Sequence, residues 1–159
     1  MKPLFRLLLS ALFLTLAPLA AHAEDSSLLA KDKPIDDPAN IPATTMYLML
    51  LSYSCQEVVG AETYTKVKDL THTMTETIMQ DKTKADEFID LIEGMARESC
   101  PDTTTCWREF NDLPATATRE QGQETCLTNI NNGLTLLGKQ MEHLMADITD
   151  ESSASATSN

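Results

Sequence analysis

TTMYLMLLSYSCQEVVGAETYTKVKDLTHTMTETIMQ, residues 44–80, is the stretch that decides the fold. Its apolar side chains recur every three or four residues, which is the spacing of one face of an α-helix. Gly60 interrupts the pattern and predicts either a break between two helices or a kink in one. The apolar face consists of Tyr47, Leu50, Leu51, Cys55 and Val58 before the glycine, and of Val67, Leu70, Met74 and Ile78 after it.

Alternating threonines at positions 71, 73, 75 and 77 favour a β-strand in the second half of this stretch, because β-branched side chains fit an extended backbone. A strand, however, would gather residues 72, 74, 76 and 78 on one face, and these mix charged with apolar side chains. The helical template gathers only apolar groups on its face. The pattern therefore favours a helix.

Two further helical patterns follow. The first runs from Ala85 to Ala96, where Thr83 and Asp86 offer capping groups at the start and Pro101 prevents continuation. The second opens on a capping box, Thr118 to Gln121, and continues to Ile148. The polar loop between them has room for a single turn around Trp107. Since short connections favour antiparallel neighbours, the sequence predicts an all-α fold, a small up-and-down bundle of three or four helices stapled by disulfides.

The first 23 residues have the three parts of a secretory signal peptide: a positive front, an apolar run, and a small-x-small cleavage site at Ala21-His22-Ala23. A membrane anchor is the alternative, but Pro18 and His22 leave the apolar run short of roughly 20 residues. We expect a periplasmic or secreted protein with no membrane span after cleavage. Residues 24–43 then form a flexible arm, 44–148 the helical domain, and 149–159 a disordered tail.

The four cysteines, Cys55, Cys100, Cys106 and Cys126, predict two disulfides in an exported protein. Zinc binding is the competing use, although no C-x2-C pair is present. An antiparallel bundle brings all four cysteines to one end, and three pairings are then open. Joining Cys55 to Cys106 and Cys100 to Cys126 is favoured, because these bonds would cross-link all the helices.

The excess of acidic residues limits the kinds of molecule that the protein is expected to bind. Removal of Lys2 and Arg6 with the signal leaves 10 of the 12 basic residues against 24 acidic ones, a net charge of -14. Such a field repels phosphate backbones and anionic lipids, so we expect no nucleic-acid partner. The expected partner is another protein, and a cationic one is favoured. Solubility alone is the simpler explanation of the charge.

Two pairs at i, i+4 spacing could hold a metal ion: His72 with Glu76, and His143 with Asp147. Brought together on adjacent helices, they would give two imidazoles and two carboxylates. Such pairs also occur by chance on solvated helix surfaces, and the Glu-x-x-His motif of di-metal bundles is missing. A metal or haem carrier using His72 and His143 is therefore an alternative function, and no cofactor is predicted.

The segment MYLMLL, residues 46–51, has more apolar side chains than one buried stripe needs. Met46 and Met49 are therefore candidate partner-binding residues, as is Trp107 beside Cys106. Core packing of the methionines and a tryptophan lid over the bundle end are the structural alternatives. No nucleophile motif is present, so an enzyme is the less favoured class. The sequence predicts an exported acidic module that binds protein in an inhibitor, chaperone or immunity-like role, without catalysis.

Overall fold

The computed structural model describes residues 34–156, with side chains through residue 149. The described chain is all-α. A short 3₁₀ helix, Pro38–Asn40, precedes five α-helices: α1, Ile41–Val59; α2, Ala61–Met79; α3, Lys82–Ser99; α4, Thr103–Phe110; and α5, Arg119–Ala156. The all-α bundle is confirmed, with five helices where the sequence predicted three or four.

Two local features account for the additional helices. Gly60 separates α1 from α2 completely, because its φ of 92° is a conformation that L side chains rarely adopt. The loop after Cys100 contains its own helix, α4, whose N-cap Asp102 accepts a hydrogen bond from the Thr104 amide at 2.9 Å. Where the sequence predicted a single turn around Trp107, the structure therefore has a helix of 8 residues, which is about two turns.

The three helices from α1 to α3 run up, down and up. At the Gly60 turn, the rings of Tyr53 and Tyr64 lie edge to face with centroids 5.4 Å apart. At the opposite end, the start of α1 and the end of α2 line one cavity, so these two helices are antiparallel. Ion pairs from α2 to α3 run in antiparallel order, with Lys68 bound to Glu93 and His72 bound to Asp86.

Helix α5 packs antiparallel to α1. Cys126 near its start is bonded to Cys55, and Gly133 further along lies against Leu48. Helix α1 is therefore the central element, in contact with every other helix. The order of the four long helices is the up-and-down arrangement that the sequence predicted.

Because α1 is covered on two sides, it carries two apolar surfaces. One packs against α4 and α5, where the core includes Leu48, Leu51 and Cys55 of α1. The other packs against α3, where Met49 contacts Ile89 and Ile92. The sequence pattern predicted one buried apolar stripe on this helix, whereas the structure buries two surfaces of it.

The buried face of α2 differs from the predicted stripe. Leu70 and Ile78 are exposed, whereas Thr71 and Thr75 are buried at 0% and 6% exposure. Burial of these hydroxyls is tolerated because each donates to the carbonyl four residues earlier, at 2.9 and 2.8 Å. The methyl groups are then free to pack in the core.

The disulfides are Cys55–Cys126 and Cys100–Cys106, so the prediction of two bonds is confirmed and the favoured pairing is wrong. Cys100 and Cys106 are six residues apart, and the start of α4 between them folds the chain back on itself. Cys55 and Cys126 meet because α1 and α5 run antiparallel. One bond thus joins the first and last helices, and the other closes a local loop.

The boundaries of the helical domain also differ from the expected ones. From Pro34 onward the expected flexible arm packs on the bundle: Asn40 is buried, and the Gln140 amide of α5 donates to the Ile35 carbonyl at 2.7 Å. Helix α5 continues to Ala156, eight residues past the expected end. The proposed signal peptide, residues 1–23, and residues 24–33 of the arm lie outside the described residues.

Candidate functional site

The residues expected to contact a partner lie mainly in the core. Met49 and Trp107 are 0% and 2% exposed, and Met46 is half-buried beside Phe88. The Trp107 indole packs beneath Gly122 of α5, and its N–H donates to the Thr104 carbonyl at 2.9 Å. This corrects the assignment of Met49 and Trp107 to a partner-binding surface, because no partner could reach either side chain.

The structure does not bring the expected metal ligands together. The His72 Nε2 atom lies 2.6 Å from the Asp86 carboxylate, and its Nδ1 atom is 4.0 Å from Glu76. His143 of α5 instead donates from Nδ1 to the Asp36 carbonyl at 3.0 Å, so the two imidazoles have different partners. Among the described residues, no group of three or more His, Cys, Asp or Glu side chains is arranged to hold a metal ion.

The contacts of His72 have an electrostatic consequence on α3. Hydrogen bonds from His72 and then from Lys82 hold the pKa of the Asp86 carboxyl below its usual range. Asp86 therefore stays ionised and ties the end of α2 to the start of α3. This cluster fixes the positions of two helix ends that form the cavity described next.

An apolar groove opens at the end of the bundle opposite the disulfides. It has a volume of about 220 Å³ and lies where the 3₁₀ helix and the start of α1 face the end of α2. Phe88 of α3 and Leu144 of α5 complete its walls. Its lining residues are Pro38, Ala39, Ile41, Pro42, Thr45, Thr75, Ile78, Met79, Phe88 and Leu144.

Large apolar side chains at this groove face solvent. Ile78 and Met79, in the last turn of α2, are each 41% exposed. Beyond Leu144, α5 presents Ile148 one turn further on, and this side chain is also exposed. Exposed apolar side chains that lie together are a common feature of interaction surfaces.

The groove supplies shape and apolar contact, with little capacity for acid–base chemistry. The two polar side chains in its lining are Thr45 and Thr75, and the Thr75 hydroxyl already donates to the Thr71 carbonyl. A neighbouring depression at the turn between α2 and α3 is polar and open to solvent. There the Thr73 and Thr77 hydroxyls donate to their own helix backbone, so they offer a ligand no donor.

Sequence reasoning missed the groove because it assigned Ile78 to the buried stripe of α2. The available signal was the pair Ile78-Met79 directly before the polar run Gln80 to Lys84. Neighbours on a helix point about 100° apart. A helix that buries one narrow face therefore leaves one member of such a pair at the edge of that face.

Within residues 34–156, no helix has both the length and the apolar composition that crossing a membrane requires. Comparison of the chain with protein-family models, with curated proteins and with solved structures found no significant match.

Proposed function

We propose that this chain is an exported module that binds an apolar segment of another protein in the groove at the base of the bundle, without catalysing a reaction. Inhibitor, chaperone and immunity-like roles all fit such an activity. The observation that carries the proposal is the apolar groove with Ile78 and Met79 exposed at its edge. Bound side chains would bury these residues and remove apolar surface from water.

The size of the groove favours side chains of a protein over a small molecule. Pockets that enclose drug-sized ligands hold roughly 300 to 1,000 Å³, and this groove holds about 220 Å³. A protein partner needs only a few anchor side chains in such a space, because most binding energy at interfaces comes from a small number of residues. The surrounding helix surface would provide the rest of the contact.

Export is supported by the two disulfides, because such bonds persist in oxidising compartments such as the periplasm or the extracellular space. The signal-like pattern of residues 1–23 agrees with this location. A groove that binds an exported or cell-surface protein is consistent with both observations.

Site-specific photo-cross-linking in cells of the source organism tests the proposal. A photoreactive residue replaces Met79 at the groove, or Leu127 at the opposite end of the bundle, which has a similar exposure. We expect one discrete adduct from position 79, none from position 127, and loss of the adduct when Ile78→Asp is added. Circular dichroism and the Trp107 emission spectrum verify that each variant is folded.

Equal adducts from both positions, no adduct at all, or an adduct unaffected by Ile78→Asp would refute binding in the groove. The matched position matters, because an exposed apolar residue anywhere can capture proteins without specificity. The same cells report on export, since a recovered protein beginning at Glu24 has lost the signal peptide.

A further inference from the structure

We propose that the segment that enters the groove carries basic residues beside its apolar anchors. This inference rests on the proposed function, and it specifies the chemical class of the partner. The charges around the groove support it.

Acidic residues lie close in sequence to lining residues in several parts of the groove. Asp81 lies two residues after Met79, Glu87 directly precedes Phe88, and Asp147 lies one helical turn beyond Leu144. Asp36 and Asp37 precede Pro38, which begins the 3₁₀ helix. These residues belong to the segment before the 3₁₀ helix, to α3 with its N-cap, and to α5, so the acidic residues next to the lining come from more than one helix. We call them the acidic rim.

Two of the basic residues at this end form ion pairs. Lys82 lies 3.0 Å from the Asp86 carboxylate, and Lys84 lies 3.6 Å from Asp81. Lys139 of α5, five residues before Leu144, adds one positive charge near the groove. Lys68, which pairs with Glu93, and Arg119, which pairs with Glu57, lie further toward the disulfide end. Around the groove, acidic residues therefore outnumber basic ones. The groove end attracts cations, and the attraction guides a basic partner to it.

The same charges argue against two other occupants. A second copy of the chain would bring one acidic rim against another, which is repulsive. Residues 24–33, EDSSLLAKDK, contain two leucines, but their three acidic and two basic residues give a net charge of -1. This segment therefore has no net electrostatic attraction to the rim. A separate protein segment with basic residues matches both properties of the groove.

Three synthetic 16-residue helical peptides test the inference. They share one stripe of leucine and isoleucine, and their polar faces consist of lysine, glutamine or glutamate. Binding to the full mature chain is measured by fluorescence anisotropy at about 20 mM and about 500 mM salt. We expect the lysine peptide to bind about tenfold more tightly than the glutamine peptide at low salt, since each of several exposed ion pairs contributes modestly. At high salt we expect the difference to shrink to about twofold, because salt screens exposed charges.

Variants of the protein test whether the acidic residues around the groove cause the tighter binding of the lysine peptide. Glu87→Gln with Asp147→Asn, two exposed residues of the rim, should weaken the lysine peptide and leave the glutamine peptide unchanged. Ile78→Asp, with Met79→Asp as a second groove variant, should weaken the glutamine peptide, whereas Leu127→Asp should not. Glu98→Gln, an exposed acidic residue away from the groove, is the control for loss of charge alone.

The outcomes separate this inference from the proposed function. If the glutamine peptide binds in a manner sensitive to Ile78→Asp and the lysine peptide binds no more tightly, the basic partner is refuted and the groove function stands. If no peptide binds the groove, both are refuted. Binding that appears only after removal of residues 24–33 would identify that segment as the occupant. A native mass of two chains that Ile78→Asp reduces to one would identify a second copy.

Discussion

Gly122 is required where α5 passes over Trp107. A methyl group at this position would overlap the buried indole, lying within 2.5 Å of the ring atom Cε3. The indole cannot move aside easily, because its N–H is bonded to Thr104 and the Arg108 guanidinium stacks on the ring at 4.0 Å. We expect Gly122→Ala to lower the free energy of unfolding by about 1 to 3 kcal/mol, the range for overpacking a core.

Gly138→Ala is the matched control on the same helix, because nothing lies within 4 Å of the added methyl. We expect this change to raise stability by about 0.5 to 1 kcal/mol, since alanine favours a helix over glycine. Urea unfolding followed by the emission of the single tryptophan measures both variants. Equal effects of the two substitutions would show that contact with Trp107 does not require the glycine.

For single residues of α2, the hydrophobic pattern predicted burial correctly at some positions and wrongly at others. Val67 was predicted in the core and is there, whereas Leu70 and Ile78 face solvent. Thr71 replaces them because a hydroxyl bonded to its own helix costs little to bury. The spacing of apolar residues contains no information about that local hydrogen bond. It therefore cannot predict that a threonine is buried while a leucine is exposed.

Between elements, Glu93 of α3 is the principal electrostatic link to α2. Its side chain is 17% exposed and accepts from Lys68 at 2.7 Å and from Arg97 at 3.0 Å. Hydrogen bonding by Lys68, followed by the nearby charges, holds the pKa of the Glu93 carboxyl below its ordinary value. A carboxyl with a lowered folded-state pKa stabilises the protein above the unfolded-state value of about 4.3, and this contribution is lost as the pH falls through the folded-state value.

We therefore expect Glu93→Gln to lower stability by about 1 kcal/mol at pH 7, and we expect this difference to shrink as the pH falls below about 4. Glu98→Gln, on the exposed side of the same helix, is the control for the loss of one negative charge. Urea unfolding at four pH values between 7 and 3 provides the measurement. A Glu93→Gln effect of the same size at pH 3 and pH 7 would refute the ionic origin of the link.

The helix boundaries were predictable where local side chains define them. The capping box at the start of α5 is confirmed, since the Thr118 amide donates to Gln121 at 2.9 Å and the Gln121 amide donates to Thr118 at 3.3 Å. At α3 the cap is Asp81 instead of Thr83, so the helix begins two residues earlier than expected. Both sites offer a capping oxygen in the sequence, and the geometry of the preceding turn selects between them.

Over the whole molecule, the up-and-down order followed from short connections, whereas the groove did not follow from any sequence pattern. The groove exists because segments far apart in the chain, near residues 38–42, 75–79 and 144, meet at one end without filling the space between them. Whether such a groove forms depends on the angles and distances at which the helices cross, and the sequence pattern does not give these. The disulfide pairing depended on the same crossing, because α5 covers α1 and brings Cys126 to Cys55.

The two disulfides should therefore differ in their contribution to the stability of the whole chain. Cys55–Cys126 closes a loop with a sequence separation of 71 residues, and Cys100–Cys106 closes one of 6 residues. Since a cross-link stabilises by restricting the unfolded chain, and restricts it more for a longer loop, we expect losses of about 4 kcal/mol and about 2 kcal/mol on removal. The double variants Cys55→Ala/Cys126→Ala and Cys100→Ala/Cys106→Ala, unfolded in urea under oxidising conditions, give the comparison. Trypsin digestion without reductant first verifies the pairing, because residues 98–108 then leave as one peptide with an internal bond. A larger loss for the short loop than for the long one would mean that native packing around the sulfur atoms, and not the restriction of the unfolded chain, decides what each bond contributes.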